Sequence, residues 1–136
     1  MMAPIATGTT SLMAMTLPST RYSAWMARYH VRAVLKLHGL DGYAADAATV
    51  TSELVTNAII HTNAEAISLE LARLQDPAEV AIVVTDPSPR PPVKRDLADT
   101  AERGRGLHIV ETLSVRWGWR PQAPGKAVYA ILTREA

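Results

Sequence analysis

Val50-Thr51-Ser52-Glu53-Leu54-Val55-Thr56-Asn57-Ala58-Ile59-Ile60-His61 sets a carboxylate, a carboxamide and an imidazole four residues apart. Four residues advance an α-helix by one turn plus roughly 40°. Glu53, Asn57 and His61 therefore form a slowly drifting row on a predicted helix. Ala47, Val50, Leu54 and Ala58 lie beside that row as an apolar stripe. Polar groups at the margin of a buried face need partners, since desolvating one unpaired costs about 1–3 kcal/mol. Something polar, protein or ligand, belongs against this helix.

Outward from this stretch, the chain reads as alternating elements. Ser11–Leu17 is predicted as a strand, with Met13, Met15 and Leu17 alternating. Pro18-Ser19 breaks it, and Ser19 is the expected N-cap of an amphipathic helix over Thr20–His38. Trp25, Tyr29, Arg32/Ala33 and Lys36/Leu37 recur there at helical spacing, and Gly39 is the C′ stop. Asp41-Gly42 turns the chain into the helix Tyr43–His61. Ala66–Leu74 alternates as a half-buried strand, and Glu79–Asp86 reads as a more fully buried one. Gln75-Asp76-Pro77 joins the two as a hairpin.

The seventeen positions Pro87–Arg103 differ in kind, holding four prolines and mixed charge with little periodicity. Loops of this length inside compact domains often serve as lids or binding loops. Gly104-Arg105-Gly106 then opens a helix reaching about Ser114. Strands over Val115–Arg120 and Lys126–Thr133 close the chain around a Pro121–Gly125 turn. The predicted fold class is α+β: a two-layer sandwich with helices on one face of a mixed, mostly antiparallel sheet. Residues 1–10 are read as a flexible N-terminus and 11–136 as a single domain.

Composition narrows the classes of function. With 136 residues, 48% of them apolar and 20% charged, the chain can bury a core of its own. A net charge of +1 speaks against direct nucleic-acid binding by phosphate neutralisation. The absence of cysteine excludes a thiol nucleophile, a thiolate zinc site and a disulfide scaffold. No signal peptide or membrane span is expected, and the predicted location is cytoplasmic. The four histidines lack ligand spacing with a carboxylate partner.

Three features carry candidate chemistry. Gly104-x-Gly106 at a helix start exposes backbone N–H groups to the positive end of the helix dipole, a seat for anions. Arg103 and Arg105 flank it with donors suited to phosphate. Asp86 closes a buried strand, where it either accepts a hydrogen bond from a base amino group or starts a turn with Ser88. On the helix, Glu53 is placed to act as a general base. Asn57 offers an oxygen donor to Mg²⁺ held on phosphates, and His61 can touch phosphate or cap the helix end. Taken singly, each residue also has an ordinary structural reading as an edge, packing or capping group.

In this order the motifs resemble those of the GHKL (histidine kinase-like) ATPase superfamily, and most closely its anti-sigma-factor serine kinase branch. The resemblance rests on Ser52-Glu53-Leu54-Val55-Thr56-Asn57-Ala58 with His61, on Val83-Val84-Thr85-Asp86-x-Ser88, and on Gly104-Arg105-Gly106-Leu107-His108-Ile109-Val110. Arg116-Trp117-Gly118-Trp119 and Gly125-Lys126-Ala127-Val128 look like the end of small stand-alone actinobacterial members. It implies a Bergerat-type sandwich in which Asn57 holds Mg²⁺ on ATP, Asp86 and Ser88 meet the adenine side, and Arg103, Gly104, Arg105, Gly106 and Leu107 cradle phosphates beneath a lid at 87–103. His61 would join the ATP site, and Glu53 would deprotonate a partner's serine. The implied partners are a sigma factor and a small anti-sigma antagonist protein, with room for a homodimer. Tyr22, Trp25 and Arg28 are candidates for partner contact. Two departures stand out: Asp86-Pro87-Ser88-Pro89-Arg90 lacks the glycines of the family's first glycine box, and Ala127 stands where a threonine that supports adenine binding is often found. They motivate the alternative of a nucleotide-responsive binding module with little or no catalysis.

Overall fold

A computed structural model describes residues 8–74, 78–92 and 106–133. The elements follow in the order β1 (Thr9–Pro18), α1 (Arg21–Leu37), a 3₁₀ turn (Asp41–Tyr43), α2 (Ala44–His61), β2 (Ala66–Leu74), β3 (Glu79–Asp86), α3 (Gly106–Leu113), β4 (Arg116–Gln122) and β5 (Gly125–Thr133). The five strands form one sheet in the order β1-β2-β3-β5-β4. Every pairing is antiparallel, so the mostly antiparallel sheet expected from the sequence has no parallel pair among the described residues.

Alternation along the strands sets which side faces the helices. Ile67, Leu69 and Leu71 of β2, Val80, Ile82 and Val84 of β3, and Val128, Ala130 and Leu132 of β5 join the main core. Ala47, Val50, Leu54 and Ala58 of α2 enter the same core, as their spacing predicts. On the other face Ala72, Leu74, Ala81 and Ile131 make a smaller apolar cluster flanked by Tyr129. There Arg116 donates two hydrogen bonds to Glu79, at 2.9 and 3.2 Å. That pairing raises the Arg116 pKa.

Several boundaries differ from the sequence reading, each for a local reason. The cap position of α1 is Thr20 rather than Ser19, and its side chain makes no capping bond. Ser19 is held elsewhere, its N–H donating to Glu65 O at 2.9 Å. Ser23 Oγ instead ties the first turn to Pro18 O. At the other end Gly39 adopts φ +70°, and the Leu40 N–H reaches back to Leu35 O at 2.8 Å, a Schellman closure. The last hairpin is tighter than Pro121–Gly125, because β4 runs to Gln122 and β5 starts at Gly125. Pro121 is tolerated in β4 because that strand is at the edge of the sheet, where a missing N–H costs least.

The stripe that α1 buries is Ser23, Ala27, Val31 and Leu35. The aromatic row picked out by helical spacing lies outside it. Tyr22, Trp25 and Tyr29 are 79%, 64% and 63% exposed, with the Trp25 and Tyr29 rings stacked at 6.3 Å. Ser23 and Ala27 are the small members of that stripe, Val31 and Leu35 enter the main core, and α1 packs on α2.

Candidate functional site

Helix α2 lies between α1 and α3 and packs against β3 and β5. Its buried arc is filled by alanine, valine and leucine together with Thr51, and Glu53 and Asn57 are half-buried at the margin. His61 ends the helix in an exposed position. Burial pushes the Glu53 carboxyl above its ordinary value of 4.5, since desolvation disfavours the charged form. A carboxylate with a raised pKa is a better proton acceptor, the property that a general base requires.

The end of β3 is built more tightly. Asp86 is 2% exposed and Lys126 3% exposed. The strand register sets them directly opposite one another on β3 and β5. Lys126 Nζ donates to Asp86 Oδ1 at 3.1 Å and to Ser88 O at 3.3 Å. The Ser88 N–H donates to the same Asp86 Oδ1 at 2.8 Å, closing an Asx turn. Gly125 makes this approach possible, because a Cβ there would run into Asp86 O and the Pro87 backbone. Asp86 and Ser88 are thus joined in one hydrogen-bonded turn, with Lys126 as the third member.

Lys126 shares the helix-facing side with Val128, Ala130 and Leu132, whereas Ala127 pairs with Thr85 on the other face. The residue across from Asp86 is Lys126. Sequence reasoning gave Lys126 no role, although a signal was present. Asp86 follows Val80, Ile82 and Val84 in core parity, as Lys126 precedes Val128, Ala130 and Leu132. Two charges at core parity on neighbouring strands call for each other.

Helix α3 starts at Gly106, and Leu107 is buried in the main core beside residues of α2 and β3. Arg103, Gly104 and Arg105 lie outside the described residues, as does the 93–103 part of the segment read as a lid. Among the described residues no three His, Asp or Glu side chains gather as a metal site. A divalent ion held by one amide oxygen and by a ligand's phosphates fits this donor set, and Mg²⁺ favours that arrangement.

The profile of the histidine kinase-like ATPase domain matches residues 18–132. The chain belongs to the histidine kinase-like ATPase family. A solved structure of the RsbU and RsbW domains of Rv1364c from Mycobacterium tuberculosis is similar in fold, with a TM-score of 0.66 and 24% identity. The similarity covers 88% of this chain and 31% of that one, so this chain spans about a third of its length. No curated protein matches. Within a histidine kinase-like ATPase fold, α2, the end of β3 and the start of α3 are the elements that carry the Glu53–Asn57–His61 row, Asp86-Pro87-Ser88 and Gly106-Leu107. No helix is long and apolar enough to cross a membrane among the described residues.

Proposed function

We propose that this chain binds Mg-ATP and works as an anti-sigma-factor serine/threonine kinase, phosphorylating a small antagonist protein and sequestering a sigma factor in the cytoplasm. The observation that carries the reading is the half-buried pair Glu53 and Asn57 at the margin of the face that α2 buries, in a chain of the histidine kinase-like ATPase family. Asn57 supplies the amide oxygen that a phosphate-bound Mg²⁺ accepts. Bound Mg²⁺ would offset charge on the phosphate oxygens. Backbone amides at the start of α3, from Gly106 and Leu107, face the ligand's anionic end, with Arg103, Gly104, Arg105 and His61 as further contacts.

Glu53 takes the proton of the attacking serine hydroxyl, and the raised pKa caused by its burial favours that transfer. Phosphoryl transfer asks mainly for positioning and charge stabilisation, so few residues suffice. Incubation of the chain with γ-labelled ATP and its cognate antagonist tests the reading. Phosphoserine should form with wild type and vanish with Glu53→Ala. Failure of the wild type to label any antagonist would refute the kinase reading.

Asp86-Pro87-Ser88-Pro89-Arg90, without the glycines of the family's first glycine box, favours a second reading, binding without transfer. Under that reading nucleotide-dependent partner affinity survives Glu53→Ala and is lost in Asn57→Ala.

A further inference from the structure

The first forty residues contain no aspartate or glutamate, and their four cations, Arg21, Arg28, Arg32 and Lys36, all belong to α1. The whole chain has 14 basic and 13 acidic residues, so the remainder holds ten against thirteen and is net negative. At about 100° per residue the four cations share an arc of roughly 120° with Tyr22, Trp25 and Tyr29. That arc lies opposite the stripe α1 buries, and all seven side chains are exposed. Trp25 and Tyr29 stack on one another at 6.3 Å, with cations on the turns around them. The helix has 17 residues, so the face runs for about 25 Å.

We propose that this face of α1 rests on an anionic phospholipid surface and holds the chain at a membrane without crossing it. The proposal does not depend on the nucleotide site. Charge sets the sign of the partner, because a basic helix face with no acidic residue attracts anions and repels its own kind. A second copy docked symmetrically here would set four cations against four, which is unfavourable. A protein partner would need an acidic groove shaped to a convex row of rings that stand 79%, 64% and 63% exposed. Lipid headgroups rearrange around such a row. Tryptophan and tyrosine are the rings that settle at headgroup depth, while arginine and lysine reach the lipid phosphates. The net-negative remainder of the chain then turns away from the surface, which fixes the orientation.

Flotation of the full chain with phosphatidylcholine vesicles holding about one-third phosphatidylglycerol, at about 0.1 M salt, tests the proposal. Wild type should bind these about tenfold or more tightly than pure phosphatidylcholine vesicles, and about 0.5 M salt should release it. Arg28→Gln with Arg32→Gln should weaken binding about twentyfold, since each cation near such a surface contributes about fivefold. Trp25→Ala keeps the charge and should weaken binding as well. Equal binding to the two kinds of vesicle overturns the proposal, as does either variant, folded, binding as wild type does. Tighter binding to polyglutamate or duplex DNA than to the vesicles, at equal concentration of anionic charge, also overturns it and assigns the face to a protein or a nucleic acid. The comparison of the two vesicles decides alone if the variants do not fold.

Discussion

Glu53 illustrates how one side chain links stability to chemistry. Burial raises its folded-state pKa above the ordinary 4.5. For a carboxyl shifted in that direction, the contribution to stability is complete below the unfolded value and is lost as pH rises through the folded one. At neutral pH the ionised Glu53 therefore works against the fold. Glu53→Gln should melt higher than wild type at pH 7, and the gap should close as the pH falls below about 4.5, the ordinary glutamate range. Thermal melts across that range check it; a gap independent of pH would show that desolvation of the carboxylate is not the cause. The position of Glu53 beside Asn57 was legible in the sequence because helical spacing alone places both at the edge of the Ala47–Ala58 stripe. For the Asp86–Lys126 pair only half the signal was local: each charge stands at core parity on its own strand, but the register that joins them spans forty positions of chain.

Helix α1 shows where periodicity misleads at the scale of an element. The bulky residues Trp25, Tyr29 and Leu37 recur at helical spacing and suggest a buried face. The face that is buried carries Ser23, Ala27, Val31 and Leu35. Ser23 and Ala27 let the helix approach its neighbours while Val31 and Leu35 fill the core, and the aromatic residues stay outside. Leu35→Ala should cost about 2–5 kcal/mol, as a core truncation does. Trp25→Ala should stay within about 0.5 kcal/mol of wild type, as an exposed substitution does. Denaturant unfolding measures both, and a larger loss for Trp25→Ala than for Leu35→Ala would reverse the assignment. The helix end is better specified. Gly39 sits at φ +70° with nothing near its absent Cβ, so Gly39→Ala should cost about 1 kcal/mol from backbone strain alone.

At the scale of the molecule, the strands and helices could be read from apolar patterns, since Ala66–Leu74 alternates, Glu79–Asp86 is a short apolar run, and a turn separates the two. The sheet order could not. Inserting β5 between β3 and β4 depends on packing over distance, and that insertion brings Lys126 against Asp86. The same topology holds α2 over β3 and β5 with Glu53 and Asn57 half-buried at its margin, the row proposed as the floor of a nucleotide site. The central claim is that this floor binds Mg-ATP through Asn57. Calorimetric titration of Mg-ATP into wild type and Asn57→Ala tests it most directly: saturable one-to-one binding by wild type, weakened about tenfold or more in the variant, is predicted. Equal affinity of the two proteins, or no heat of binding in either, would contradict it.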